Sequence, residues 1–192
     1  NGLGGSASGA VAGGPARRRH GLLTAGAGGR PVVLLLGLDE RVAGPAGGSR
    51  LAPAPAAAGA PAAGHARLEG FRHEPWPGWR WRAGDTVLER TVFVVSGHDA
   101  VAVVYRHLAG PAVHVAASPL CVARGPGASP DAATPLQGAI RGMPGRVRVE
   151  LAAGVPALTL WHDGTFLPAH AWRALAYADG QGGTAREDAL VP

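Results

Sequence analysis

Two strand-like runs flank one short polar turn in the middle of this chain. Val87 to Ser96 reads VLERTVFVVS, Ala100 to Leu108 reads AVAVVYRHL, and Gly97-His98-Asp99 separates them. β-branched and aromatic residues crowd both runs, and the turn residues tolerate the backbone angles that a reversal needs. Runs of similar length across such a turn predict an antiparallel β-hairpin. A lone hairpin is not stable in water, so it commits the chain to supplying more strands or a covering layer.

Further strands are legible on both sides. Pro31 to Leu38 is aliphatic and β-branched, bounded by Gly-Gly-Arg-Pro before it and Asp-Glu after it, and it reads as a buried strand. Arg67 to His73 is a candidate strand, and Trp76-Pro77-Gly78-Trp79 reads as a turn carrying aromatics. Ala112 to Ala117, Ala157 to Trp161 and Trp172 to Tyr177 read as strands. Arg146 to Leu151 alternates Arg-Val-Arg-Val-Glu-Leu, the period of a strand with one polar face. Val42 to Gly64 is an Ala/Pro/Gly stretch, either a long surface loop or a degenerate strand pair, and 125–139 is a Gly/Pro/Ala loop. No segment carries a helical period. Short strands and frequent turns predict an all-β, antiparallel β-sandwich, with residues 1–192 as one domain.

Charge and cysteine content exclude several classes. All 18 basic residues are Arg and the formal net charge is +5. Apart from Arg17, Arg18 and Arg19 they are scattered, which argues against a nucleic-acid footprint. Abundant Ala, Gly, Pro and Arg with no Lys instead indicates a GC-rich gene. Cys121 is the only cysteine, so no intramolecular disulfide is possible. Between Leu120 and Val122 it reads as a small buried hydrophobe. The longest apolar run, Val32 to Leu36, is far too short to cross a bilayer, and no signal peptide is visible. These features fit a reducing cytoplasm and no membrane partner. The 8 histidines are scattered and form no HExxH motif, so no metal and no cofactor are expected. Ser96, His98 and Asp99 are triad residue types, but near-consecutive turn residues cannot form a relay.

The opening residues carry the functional signal. NGLGGSASGAVAGGPARRRHGLL places a basic cluster inside a glycine-rich stretch. Glycines let another chain approach closely, and a basic cluster there offers many donors to a polyhydroxylated or anionic partner. This block resembles the start of the N-terminal domain of bacterial and archaeal glycogen debranching enzymes, which reads NGLGGYASGTV, then TRRYHGLL, then a strand ending in LDE. Here the counterparts are Asn1 to Val11, Arg17 to Leu23, and Leu38-Asp39-Glu40. FRHEPWPGWRW (Phe71 to Trp81), LERTVFVVSGHDAVAVVYR (Leu88 to Arg106) and the tail from Trp172 to Pro192 continue the likeness in order. Ser6, Ala16 and Arg19 depart from the Tyr, Thr and Tyr usual at those positions.

The resemblance implies a β-sandwich of the supersandwich type, with an (α/α) barrel following it. It also implies a parent glycoside hydrolase, an amylo-α-1,6-glucosidase that hydrolyses α-1,6 branch points of glycogen in glycogen catabolism. This chain would then be a fragment, cut at both ends. Its partners would be the α-glucan and its own C-terminal catalytic barrel, with no nucleic acid.

Glycoside hydrolysis needs two carboxylates roughly 5–10 Å apart across the scissile bond. Asp39 and Glu40 are adjacent, and in a continuing strand their side chains point to opposite faces. They are not expected to work as an acid–base pair, and no residue here is expected to be catalytic. Each either binds sugar hydroxyls or pairs with an Arg of the 17–19 cluster. Arg17, Arg18 and His20 are the candidates for substrate or interdomain contact, against the alternative that they dock the loop on backbone carbonyls. Trp79 joins them as a candidate stacking surface, since Trp79 and Trp81 share a face in an extended segment, leaving one to be exposed; core packing is the competing role for all five tryptophans. The alternative function is a non-catalytic α-glucan-binding or structural β-sandwich module.

Overall fold

The computed structural model describes residues 1–15, 17–26, 29–45, 47–52, 66–128, 139–178 and 184–192. In chain order the strands are β1 (Ser6–Ser8), β2 (Gly21–Ala25), β3 (Val32–Gly44), β4 (Gly47–Arg50), β5 (Arg67–Arg72), β6 (Gly78–Ala83) and β7 (Thr86–Val94). Then come β8 (Val101–Ala109), β9 (His114–Arg124), β10 (Ala139–Met143), β11 (Arg146–Glu150), β12 (Leu158–Trp161), β13 (Ala171–Ala178) and β14 (Thr184–Val191). They form a seven-stranded sheet in the order β1-β2-β3-β9-β14-β13 with β4 also on β3, a four-stranded sheet β5-β6-β7-β8, and a three-stranded sheet β10-β11-β12. Every pairing among the described residues is antiparallel. The chain is an all-β antiparallel sandwich.

Side-chain periodicity explains the layering. On β11 Val147 and Val149 face inward while Arg148 and Glu150 face solvent, as the alternation predicts. The four-stranded sheet packs Trp79, Trp81, Leu88 and Val92 against Val42, Leu51 and Ala52 beside β3 and β4. The three-stranded sheet packs Val147, Val149 and Leu158 against Leu23, Leu34, Leu35, Cys121 and Leu190. A further cluster joins Val33 and Leu36 of β3 to Leu120, Val122, Leu175 and Val191. β3 is thus buried on both faces, which is why its sequence runs apolar without alternation.

The central hairpin forms as expected, with β7 and β8 paired from Val87↔Ala109 to Val94↔Val101. Gly97 sits in its turn at φ 74°, an angle that glycine takes without strain.

Elsewhere the boundaries move. β3 does not stop at Leu38 but continues to Gly44, carrying Asp39 and Glu40 inside it. The strand expected to end at Ala117 runs on to Arg124. Pro119 hid that continuation, because proline donates no ladder hydrogen bond and usually ends a strand. Gly78 and Trp79 belong to β6 rather than to a turn. β4 lies within the Ala/Pro/Gly stretch and hairpins onto β3; residues 53–64 of that stretch, residues 129–138 of the second loop, and Ala16 lie outside the described residues.

Candidate functional site

The opening segment crosses from the seven-stranded sheet to the four-stranded sheet and is fastened at two places. The first is the hairpin turn. The Asn1 side chain donates to His98 O at 3.0 Å and to Asp99 Oδ1 at 2.5 Å, while its Oδ1 accepts from the Leu3 and Gly5 backbones, both at 2.8 Å. The other Asp99 oxygen accepts from Gly26 N at 3.1 Å. One carboxylate therefore ties the start of the chain, the end of β2 and the β7–β8 turn together.

The second fastening is buried. Trp79 Nε1 donates to Val11 O at 2.8 Å, and Arg90 Nη2 donates to Gly13 O at 2.9 Å. Gly13 stands at φ 95°, where a Cβ would lie 2.9 Å from Trp81 Cζ2, so the loop lies directly on the indole. Arg90 lies over both indoles in turn. Its guanidinium carbon sits 4.3 Å from the Trp79 ring centroid and 5.1 Å from that of Trp81, and its Nη1 is bonded to Glu40 Oε2. Tyr105 Oη donates to Glu40 Oε1 at 2.5 Å. Burial pushes the Glu40 carboxyl above its ordinary value, and the Arg90 charge with the Tyr105 hydrogen bond opposes that rise. Burial and the neighbouring Glu40 charge hold the Tyr105 phenol far above its ordinary value, so it stays a donor.

Asp39 faces the other way. Its Oδ2 is bonded to Arg173 Nη1 and to Arg50 Nη2 at 3.3 Å, with Arg41 Nε 3.9 Å away. Its Oδ1 is buried with no hydrogen-bond partner among the described residues. Asp39 and Glu40 thus diverge to opposite faces of β3, as alternation requires, and cannot flank one bond as acid and base. Both carboxylates do pair with arginines. None of those partners is Arg17, Arg18 or Arg19, however, because the opening loop reaches β3 through Pro15 on Gly37 and through Arg90 instead.

After this anchorage the chain turns at Arg17–His20, where His20 N donates to Arg17 O at 2.9 Å. Arg17 and Arg19 are exposed, and Arg18 and His20 are half-buried. No carboxylate among the described residues pairs with the three arginines. Arg18 Nε is buried without a hydrogen-bond partner among them. Partial burial, helped by the Arg17 charge, lowers the His20 pKa below its usual 6.5, which keeps the ring neutral near pH 7.

Trp79 is 8% exposed and Trp81 1%, stacked at 6.3 Å with an interplanar angle of 10°. Neither is the exposed member of the pair that the sequence left open, because the Val11–Gly13 turn covers them. Trp76, Trp161 and Trp172 are the exposed tryptophans among the described residues. No group of three or more His, Cys, Asp or Glu side chains among those residues is placed to hold a metal ion, and no helix there is long and apolar enough to cross a membrane.

The two stretches that fasten the opening loop, the first residues and the β7–β8 hairpin, are also the most specific stretches of the sequence. The family described as glycogen debranching enzyme N terminal matches residues 1–192. The chain belongs to that family. No curated protein and no solved structure matches it. Within this debranching-enzyme N-terminal domain, sequence reasoning missed Arg90, Tyr105, Asn1, Asp99, Arg50 and Arg173. One signal for Arg90 was available: it shares strand parity with Leu88 and Val92, which marks an inward-facing charge.

Proposed function

We propose that this domain serves an enzyme that hydrolyses α-1,6 branch points of glycogen or a related α-glucan, as a non-catalytic β-sandwich that packs on a catalytic barrel. The observation that carries the reading is the fastened opening loop. In a chain of this family, the buried Glu40–Arg90–Trp79 cluster and the Asn1–Asp99 pair spend their hydrogen bonds on fixing one loop. Beyond that anchorage Arg17 is exposed, and Arg18 and His20 are half-buried beside it. Guanidinium and imidazole groups held on a rigid base suit either sugar hydroxyls or the rim of the barrel. The chemistry belongs to carboxylates outside this domain, since Asp39 and Glu40 are each engaged by arginines on opposite faces. The reading places the enzyme in the cytoplasm, with no nucleic-acid or membrane partner.

The test is Arg18→Ala and His20→Ala in the complete gene product. Glucose release from a limit dextrin should fall while the thermal midpoint stays within a few degrees. Unchanged hydrolysis with unchanged stability would remove the loop from the site. The second reading is an α-glucan-binding module with no associated hydrolysis, favoured by the exposure of Trp161. It predicts glycogen affinity and no glucose release.

A further inference from the structure

The outer face of the three-stranded sheet leaves an indole in solvent and sets two arginines opposite each other. Trp161, at the end of β12, is 72% exposed and contributes little to the core. Its cross-strand partner is Arg146, whose guanidinium carbon lies 5.2 Å from the indole centroid. Two residues along β11, Arg148 faces Arg141 on one side and Thr159 on the other. Like charges directly opposite each other destabilise a sheet. Glu150, on the same outward parity, pairs with Arg148 at 3.2 Å. The inner parity of β11 is wholly apolar and buried, with Val147 and Val149 at 1% and 0% exposed, so the sheet is rigidly seated behind this face.

We infer that this face is an α-glucan-binding surface, with Trp161 as the stacking ring and Arg146, Arg148, Glu150 and Thr159 as the polar rim. The inference rests on the debranching reading for its ligand class. The chemistry on the face favours that class over a polyanion. A pyranose presents C–H bonds on its flat side, which suit an indole face, and hydroxyls at its edge that both donate and accept. The rim supplies donors in the guanidinium groups, an acceptor in Glu150 and both in Thr159. Arg141, Arg146 and Arg148 outnumber Glu150 on this face, but the exposed indole and the acceptors of Glu150 and Thr159 are groups that a polyanion does not use and a sugar does. Arg146 fixes the ring through its cation–π contact, so little side-chain freedom is left to lose on binding.

The experiment uses the complete gene product with Trp161→Ala, Trp161→Phe and, as a control, Trp172→Ala, which removes an exposed indole from another sheet. Native gels containing glycogen measure retention, and a short branched maltosaccharide measures hydrolysis. Trp161→Ala should weaken glycogen retention about tenfold, the scale of one aromatic contact, and raise the KM for glycogen. Its kcat and its turnover of the short substrate should not change. Trp161→Phe should recover part of the retention, and Trp172→Ala should keep all of it. Retention unchanged in Trp161→Ala, or lost equally in Trp172→Ala, overturns the surface. So does binding to heparin that collapses with added salt while glycogen is not retained. No glucose release from the short substrate by the unsubstituted protein overturns the debranching reading instead, which keeps the two failures apart.

Discussion

Replacing Glu40 by Gln tests whether the buried cluster holds the opening loop. The Glu40 side chain is 0% exposed and that of Arg90 6%. The substitution keeps the shape and an acceptor for Tyr105, but it leaves the guanidinium as an unpaired cation. Arg90 would keep only its bond to Gly13 O and its place over the two indoles, and its Nε already has no partner among the described residues. Breaking one side of a buried ion pair costs about 3–5 kcal/mol. Arg90→Met should cost a similar amount, because it strands the carboxylate and the Gly13 carbonyl together. In the double variant the stranded charges disappear, and the coupling between the sites should reach about 2 kcal/mol or more. Urea unfolding followed by tryptophan fluorescence reads all of this, since Trp79 and Trp81 sit against Arg90. A cost for Glu40→Gln below about 1 kcal/mol, or additivity within about 0.5 kcal/mol, would show that the pair does not act as one unit and refute the reasoning.

Burial raises the Cys121 thiol from 9.0 to about 12, so iodoacetamide at pH 8 should leave it unmodified until denaturant opens the fold. In the unfolded chain the thiol ionises above pH 9 while the folded one stays protonated. Stability should therefore be complete below pH 9 and fall as pH rises toward 12, and Cys121→Ser should flatten the first part of that fall. The His20 imidazole should titrate below 6.5 by NMR, and its pKa should rise in Arg17→Ala, where one cause of the depression is gone; no change would exclude the Arg17 contribution. His20 neutrality contributes stability that is present above pH 6.5 and lost as pH falls through the lowered value. Gly13→Ala should cost at least about 1–2 kcal/mol from its positive φ alone. Contact with Trp81 should add to that and shift the fluorescence, and a melt unchanged from the parent would contradict the close approach.

The sequence made the hairpin legible because its signals are local: β-branched runs and a polar turn. The divergence of Asp39 and Glu40 was legible for the same reason, since alternation is a property of any strand. β1 was not, because SAS has no strand propensity of its own and extends only by pairing with a neighbour. The partners of Asp39 were out of reach as well. Arg173 lies 134 positions away in sequence, and only the addition of β13 to the edge of the seven-stranded sheet brings it near. Trp79 shows the limit most plainly. Its face on β6 could be deduced from parity, but its burial depends on a glycine turn from the start of the chain, and no local pattern announces that.

The adjacency of Asp39 and Glu40 has a consequence for how the loop is held. One strand delivers two carboxylates to opposite faces within a single residue step. Glu40 binds the arginine that grips Gly13, and Asp39 binds arginines of β4 and β13. Any shift of β3 along its axis by one residue would exchange the two faces and strand both sets of arginines at once. The register of β3 is therefore specified electrostatically as well as by burial, even though its apolar run VVLLL has little alternation to fix it. The loop that carries Arg17, Arg18 and His20 inherits that register through Arg90. Its position is set by the sandwich interior rather than by its own flexible glycines. A charge-neutral swap at Asp39 should then disturb β4 and β13 while leaving the Gly13 contact intact. The matching swap at Glu40 should free the loop and leave β13 in place. Hydrogen exchange at the Gly13 and Arg173 amides in the two variants distinguishes these outcomes, and parallel loss of protection at both sites in either variant would show that the two faces are not independent.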